Sequence, residues 1–542
     1  MKNHTVVCER SKGESTIRFS EIFNVAVPFI DRHLEEGRAD KVVIRTTAGE
    51  SVTYLDLAAR VNQSGNLFRS LGLVPGDRVA MIIKDCPEFF YVFWGAIKAN
   101  LIPIPINTLF RAKDYRFIFA DSGCAAVVYS PEYRKEVEPA LRQVNPAPAH
   151  IMLTEGEAQD FKARIKTVSP ELEPAATRAT DDCFMLYSSG STASPKGAVH
   201  RHQDMVYESQ YYGVETLGIR EADVCFSAAK LFFAFGHGNG MEFPLWVGAS
   251  TVLFDGRPTP EITFDIIERF KPSIYYGVPT LYAAQLLAME KRKVDFSSVR
   301  ICVSAGEALP ADLFHRWKKS THTEILDGIG STEILHIFIS NREGDIKPGS
   351  TGRVVPGYEA RIVNEEGASV PRGESGRLLI KGGSIAVRYW NNPEKTAATM
   401  LGEWIDTGDT YYQDAEGYFH YCGRNDDMMK IGGIWCSPFE IEAKLVEHPK
   451  VLEAAVVGYF DEHKLNKPKA FVVLKEKADD TAALANELRA LCQNELAPYK
   501  YPRWFEFVAE LPKTPTGKVQ RYKLRAFGQS GASNPASDAR AS

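Results

Sequence analysis

The sequence lacks an apolar run long enough to cross a bilayer, a Cys/His cluster at zinc-ligand spacing and a block of like charge. Its most apolar stretch, Tyr91 to Phe110, carries Lys98 and Asn100 and contains Pro103 and Pro105, so it cannot form the span of about 20 apolar residues that hydrocarbon requires. Met1 to Ile22 has no apolar core of signal-peptide length, because Lys12, Glu14 and Arg18 interrupt it. Neither a membrane helix nor secretion is expected. The nine cysteines are scattered and form no C-x-x-C pair, which fits reduced thiols in a cytoplasmic protein. With 64 Lys+Arg against 69 Asp+Glu the formal charge is −5, and no basic block concentrates charge for nonspecific nucleic-acid binding. A Walker A loop is also missing.

What is present is ordinary globular composition, 44% hydrophobic and 25% charged over 542 residues, enough chain for several units and large cores. From Val42, β-branched runs alternate with segments of helical periodicity. Lys41 to Thr46, Arg78 to Ile83, Leu101 to Ile106 and Ala125 to Tyr129 read as strands, and Tyr54 to Leu71, Pro87 to Ala99 and Ala112 to Ser122 as helices. The rhythm resumes at Ala249 to Phe254, Ser273 to Tyr276 and Ile301 to Ser304. Such alternation predicts parallel sheets with crossover helices. After Gly349 short strands separated by turn residues predict antiparallel structure. From near Asn425 the pattern predicts a small α+β unit, with helices at Pro438 to His448 and Thr481 to Leu496 and strands at Glu453 to Tyr459 and Pro468 to Lys475. The Ser/Ala/Gly-rich residues Gly528 to Ser542 have no periodic apolar face, and disorder is expected there.

Tyr187-Ser-Ser-Gly-Ser-Thr-Ala-Ser-Pro-Lys-Gly197 joins a strand-like Cys183 to Leu186 to a helical Met205 to Tyr212. Hydroxyls, backbone N–H groups and a cation together suit a polyphosphate, although a Ser/Gly-rich loop alone is also an ordinary linker. Asp327-Gly-Ile-Gly-Ser-Thr-Glu333, Trp404 to Asp409, Tyr418 to Met429 and Pro512 to Arg521 follow in order. Together these segments resemble the signature motifs of the adenylate-forming superfamily, which includes acyl-CoA and aryl-CoA synthetases, luciferases and adenylation domains of peptide synthetases. The similarity runs from about Phe19 to Phe527. Lys230 to Gly240 and Gly328 to Phe338 look most like benzoate-CoA ligases.

The resemblance implies a large α/β N-terminal domain of stacked α/β subdomains plus a β-rich subdomain (1–423), a hinge (424–427), a small mobile α+β C-terminal domain (428–527) and a tail (528–542). It implies that a small aromatic carboxylic acid reacts with ATP, giving an acyl-adenylate and pyrophosphate. The acyl group then passes to the thiol of coenzyme A. By resemblance, Ser188, Ser189, Gly190, Ser191, Thr192, Lys196, Gly306, Glu307, Asp327, Gly328 and Thr332 contact ATP. Glu333 matches the magnesium ligand. Asp409 and Arg424 match the ribose region, where two oxygen acceptors suit paired hydroxyls and a planar guanidinium binds oxygens in fixed geometry. Lys518 matches the catalytic lysine, holding carboxylate and α-phosphate oxygens together, and Asp426 the hinge. Gly432 and Gly433 would let a pantetheine arm pass close to backbone. The plain alternatives are a solvated carboxylate for Glu333, a turn cap for Asp409, a solvated lysine for Lys518 and an ordinary turn for the glycine pair. A homodimer is the implied assembly. Acetylation at Lys518 would erase the charge that adenylation uses.

For the acid, the resemblance indicates a tunnel lined by Ala228, Phe233, Phe235, His237, Gly277, Ile329 and His336. Flat aromatic walls suit an aryl ring, and an aromatic in such a run is equally a core residue. His237 replaces the aliphatic residue expected in benzoate-CoA ligases. Either it or His336 bonds a polar ring substituent, or it is a satisfied structural histidine. Benzoate or a substituted benzoate is the expected acid. Cinnamate, a short aliphatic acid, or loading of a carrier protein are the alternatives, and a noncatalytic nucleotide-binding protein is disfavoured by intact Lys518, Glu333 and Asp409.

Overall fold

Burial and capping explain the first long helices. The computed structural model describes residues 1–11, 14–188, 195–425, 427–431, 434–461, 466–476, 480–496, 500–513 and 519–530. Helix Tyr54–Ser70 starts at a reciprocal cap: Thr53 Oγ1 accepts from the Asp56 N–H at 3.1 Å and Asp56 Oδ2 from the Thr53 N–H at 3.2 Å. Helix Pro87–Lys98 is apolar on every side apart from Glu88 and Lys98 and is buried throughout, as such a helix must be. Its last residue, Lys98, is held by Asp31 at 2.7 Å and Asn62 at 2.6 Å. The two helices cross where a Cβ on Gly65 would meet the Gly95 carbonyl oxygen at 2.8 Å. Among the described residues no helix is long and apolar enough to cross a membrane.

The chain divides into two compact units. The first comprises Met1–Leu309, Leu313–Ala360 and Ile380–Ile405. It contains a parallel four-stranded sheet in the order Ile102–Pro105, Arg78–Ile82, Ala126–Tyr129 and His150–Leu153. A nine-stranded sheet runs Arg353–Val354, Ile337–Ser340, Ile325–Gly330, Ile301–Ser304, Ile274–Gly277, Val224–Ser227, Ser250–Leu253, Val42–Thr46 and Ser51–Thr53. Its interior pairs are parallel and its outer pairs antiparallel. Gly277 ends one strand and Gly306 and Glu307 follow the next, so these residues gather at the carboxyl ends of parallel strands, where open α/β sheets bind ligands.

The second unit comprises Pro310–Asp312, Arg361–Leu379 and Asp406–Ser542. Residues 409–413 of strand Trp404–Gln413 pair antiparallel with Phe419–Arg424, as the turn-rich sequence predicts. Beyond them Val451–Phe460 lies antiparallel to Asn466–Leu474, which runs parallel to Trp504–Phe507. Ile441 and Leu445 of helix Pro438–Val446 and Leu484 and Leu488 of helix Thr481–Glu495 share a core with Val456 and Val472.

Three features differ from the pattern read along the sequence. An N-terminal hairpin, Val6–Ser11 with Glu14–Phe19, precedes the α/β region. Helix His202–Glu208 starts before Met205, because Asp204 Oδ2 accepts the Arg201 N–H at 3.0 Å, and it continues as a π-helical segment, Ser209–Val214. The final helix, Arg521–Ser530, runs three residues past Phe527 into the segment expected to be disordered. No disulfide joins any of the nine cysteines.

Candidate functional site

Strand Asp182–Ser188 leads into the Ser/Gly-rich loop and Lys196–Arg201 returns from it, with Ser188 opposite Lys196 and Tyr187 opposite Gly197. Gly197 is required: a Cβ there would stand 2.9 Å from the Tyr187 ring, which is pinned by its hydroxyl donating to Asp121 Oδ2 at 2.6 Å. Both shoulders of the loop are thus fixed. Ser189, Gly190, Ser191 and Thr192 lie outside the described residues.

Glu333 sits on a single 3₁₀ turn, Thr332–Ile334, whose N-cap Ser331 accepts from the Ile334 N–H at 3.2 Å. Glu333 Oε1 accepts from the Tyr389 hydroxyl at 2.8 Å and faces the Ser188 hydroxyl at 3.4 Å. The Thr332 carbonyl accepts from His200 Nε2 at 2.8 Å, and Leu335 next along takes a φ of 78°, a costly conformation for a leucine. The Ser188 shoulder of the Ser/Gly-rich loop and the acidic turn are therefore brought together. Both donors fall on one carboxylate oxygen, and among the described residues no Lys or Arg pairs with Glu333. A hard, half-buried carboxylate of this kind fits a magnesium ion.

Asp327, in strand Ile325–Gly330, is buried. Its Oδ2 accepts weakly from the Leu309 N–H at 3.4 Å, while Oδ1 has no hydrogen-bond partner among the described residues. Burial pushes its carboxyl up to about 8. Gly328 beside it is a close-packing position, since a Cβ would meet the Ile337 side chain at 2.8 Å. Gly306 has a φ of +93° with open space around it, which leaves the backbone accessible to a ligand.

In the second unit Asp409 and Arg424 are register partners, with Arg424 Nη1 3.0 Å from Asp409 Oδ1 and 3.1 Å from the Thr407 carbonyl. Gly408 makes this possible, having a φ of 73° and a Cβ position 2.8 Å from Arg424 Nη2. Asp426, Gly432, Gly433 and Lys518 lie outside the described residues.

Of the acid-tunnel residues, Ala228, Phe235, Gly277 and His336 come together. The Ala228 N–H donates to the Tyr276 carbonyl at 2.9 Å, and the Phe235 ring centre is 6.4 Å from that of Tyr276 and 5.5 Å from that of His336. His336 Nε2–H is shared between the Phe235 carbonyl at 3.2 Å and Asn239 Oδ1 at 3.1 Å, and burial lowers the ring to about 3. Ile329 is half-buried on the strand that carries Asp327. Phe233 packs at a tilt against Phe232, with centres 4.3 Å apart.

His237 is enclosed by the protein. Its Nδ1 donates to the Leu231 carbonyl at 2.9 Å, Nε2 lies 3.3 Å from Glu242 Oε1, and the Phe93 ring packs on it at 4.6 Å. Burial holds it at about 4, so it is neutral at physiological pH. Behind it Glu208 and Glu242 are both wholly buried, and burial raises both carboxyls, Glu242 to about 7. Sequence reasoning passed over Tyr389, His200 and this carboxyl pair. Glu333 and the Thr332 carbonyl lie far along the chain from Tyr389 and His200, as Glu242 does from Glu208, so no local spacing marks these contacts, although His200 also meets Asp204 four residues on.

The two units carry the features of a nucleotide-dependent carboxylate-activating enzyme, and family models agree. Residues 30–390 match the AMP-binding enzyme family and residues 440–518 the AMP-binding enzyme C-terminal domain. The chain belongs to the AMP-binding enzyme family. It is 50% identical to a benzoate–CoA ligase of Thauera aromatica over 96% of this chain and 99% of that protein. An anthranilate CoA ligase solved with anthranoyl-AMP superposes with a TM-score of 0.91 at 43% identity, covering 95% of this chain and 98% of that one. A benzoate CoA ligase from Burkholderia xenovorans LB400 gives 0.87 at 44% identity over 93% and 100%.

Proposed function

We propose that this protein is an AMP-forming acid–thiol ligase that joins benzoate or a substituted benzoate to coenzyme A at the expense of ATP. The observation that carries this reading is the meeting of Glu333 with the shoulder of the phosphate loop at Ser188, in a chain half identical throughout its length to a benzoate–CoA ligase.

A carboxylate attacking a triphosphate must overcome charge repulsion and expel pyrophosphate. Ser188 and Lys196, with Ser189, Gly190, Ser191 and Thr192, hold the β- and γ-phosphates. Thr332 and Glu333 face the same phosphates, and Glu333 would hold the magnesium that accompanies ATP, which would supply Lewis-acid neutralisation of the charge on pyrophosphate. Gly306, Glu307, Asp327 and Gly328 line the base side, and Asp409 with Arg424 takes the ribose. The aryl ring lies against Phe235 and His336, with room left by Ala228 and Gly277. Lys518 supplies the point charge for adenylation. Asp426 serves as hinge in 424–427 between domains 1–423 and 428–527, and Gly432 and Gly433 admit the pantetheine arm for thioester formation. No protein nucleophile is needed, because AMP is already a good leaving group. We place the enzyme in the cytoplasm as a homodimer.

Release of AMP and pyrophosphate is to be measured over benzoate, hydroxybenzoates, aminobenzoates, cinnamate and acetate, with and without CoA. Aryl acids giving AMP and an aryl-CoA only with CoA present are expected. Acid-dependent pyrophosphate exchange without thioester would move the reading to another acceptor. Preference for acetate or cinnamate would overturn the aryl pocket.

A further inference from the structure

One short segment, residues 384–390, ties the acidic turn to the phosphate loop. Its strand Arg388–Tyr389 pairs with the strand returning from that loop, Ala198 opposite Tyr389 and Val199 opposite Arg388. On either side the Trp390 N–H donates to the Gly197 carbonyl at 2.7 Å and the Val387 N–H to the Val199 carbonyl at 3.0 Å. The same segment grips the turn by its backbone. The Ala386 N–H donates to the Glu333 carbonyl at 2.8 Å, and Ser384 Oγ to the Ile334 carbonyl at 2.7 Å. The Tyr389 side chain adds the bond that reaches the functional atom, its hydroxyl donating to Glu333 Oε1 at 2.8 Å. Tyr389 is buried, and its own N–H is fixed by Thr396 Oγ1 at 2.9 Å, so the hydroxyl is presented from a rigid support.

A glutamate side chain has several rotamers, and a carboxylate that must meet a cation is most effective when one of them is selected beforehand. A neutral hydroxyl can make that selection without cancelling the charge. We propose that Tyr389 is a positioning residue for the adenylation step: its hydroxyl locks Glu333 with Oε1 occupied and Oε2 left to the magnesium of bound ATP, in register with the phosphate loop. This rests on the reading of Glu333 as the magnesium carboxylate.

The test compares wild type, Tyr389→Phe, Glu333→Gln and Trp390→Phe by calorimetry, titrating α,β-methylene-ATP with and without magnesium. The readout is the factor by which magnesium tightens nucleotide binding. A hydrogen bond to a charged group translates to about tenfold, so Tyr389→Phe is expected to lower that factor about tenfold, with the KM for benzoate unchanged. Trp390→Phe removes the indole bond to the Asp121 carbonyl, 3.0 Å long, while leaving an aromatic ring beside Arg78 and Arg388, and is expected to keep the wild-type factor. If Tyr389→Phe keeps that factor while Glu333→Gln loses it, the positioning role is overturned and the reading of Glu333 stands. If Glu333→Gln keeps it, the reading of Glu333 falls and the positioning role with it. Equal loss in Trp390→Phe would assign the effect to docking of the strand, again overturning the role of the hydroxyl.

Discussion

Glu333 and Asp409 are carboxylates in separate compact units, and their partners differ in charge. Glu333 is oriented by two neutral hydroxyls, from Tyr389 and Ser188, whereas Asp409 is paired with the Arg424 guanidinium. Hydroxyl donors fix geometry and leave the negative charge intact. A guanidinium fixes geometry and compensates the charge. The difference teaches what each group is free to do. On the proposed reading Glu333, with no cationic partner among the described residues, is left to meet a cation arriving with the ligand, while the Asp409–Arg424 pair is a preassembled polar surface that would exchange hydrogen bonds with sugar hydroxyls.

The largest expected effect follows from removing that retained charge. Glu333→Gln keeps an oxygen for the Tyr389 and Ser188 hydroxyls, so folding should be unchanged. Adenylation, followed as benzoate-dependent pyrophosphate exchange, should fall about 10²- to 10³-fold, the scale on which a preorganised transition-state contact is lost. A loss below tenfold would erase the distinction between the two carboxylates. Next in size, Arg424→Ala takes the guanidinium from the buried Asp409 carboxylate, and the KM for ATP should rise about tenfold or more. Arg424→Lys returns the charge but not the planar fork, and an intermediate KM is expected. Full recovery by lysine would mean that charge alone matters at this pair.

Much of this was legible in the sequence because it is written in contiguous residues. Glu333 comes with Gly-Ser-Thr, Asp409 with Thr-Gly, and Lys196 closes a loop of hydroxyls. The parallel sheet was legible from β-branched runs such as Ile301 to Ser304. What escaped is long-range. Tyr389 reaches Glu333 only after its strand has paired with Lys196–Arg201, nearly two hundred positions earlier in the chain. Lys196-Gly-Ala-Val-His-Arg201 reads as neither alternating nor continuously apolar, so its strand becomes visible only with both neighbours in place. Glu208 and Glu242 look like surface residues of amphipathic segments. Glu208 closes helix His202–Glu208 just before the π-helical segment Ser209–Val214, and Glu242 closes a second one, Gly238–Glu242; both are wholly buried, which a regular helical stripe read along the sequence does not mark.

Asp327 is a third kind of carboxylate, shaped by burial. It titrates near 8 in the folded protein against about 3.9 in an unfolded chain. Across that interval the native state holds a proton that the unfolded state has lost, so stability falls as pH rises through it and the loss is complete above about 8. Asp327→Asn removes the titration. Its thermal midpoint without nucleotide should therefore drop less than the wild-type midpoint between pH 6 and 8, by about 2 °C. Parallel curves would place the Asp327 carboxyl in water.

The smallest expected effect is on substrate ranking, at the histidine that departs from the aliphatic residue of benzoate-CoA ligases. His237 and His336 are both buried and both neutral, yet they differ in where their nitrogens go. Neither His237 Nε2 nor His336 Nδ1 makes a hydrogen bond among the described residues, but His237 Nδ1 bonds the Leu231 carbonyl and its Nε2 faces the Glu242 carboxyl at 3.3 Å, whereas the His336 ring lies beside Phe235. His237→Leu should therefore leave the ranking of hydroxybenzoate against benzoate unchanged, within about twofold in kcat/KM. Its cost should appear in stability, about 1–3 kcal/mol, because the buried Glu242 carboxyl, already beside Glu208, loses its imidazole neighbour. His336→Phe should reorder the same panel, since it removes the unpartnered acceptor next to the aryl wall. Reordering by His237→Leu and none by His336→Phe would exchange the two assignments and make His237 the residue that reads the ring.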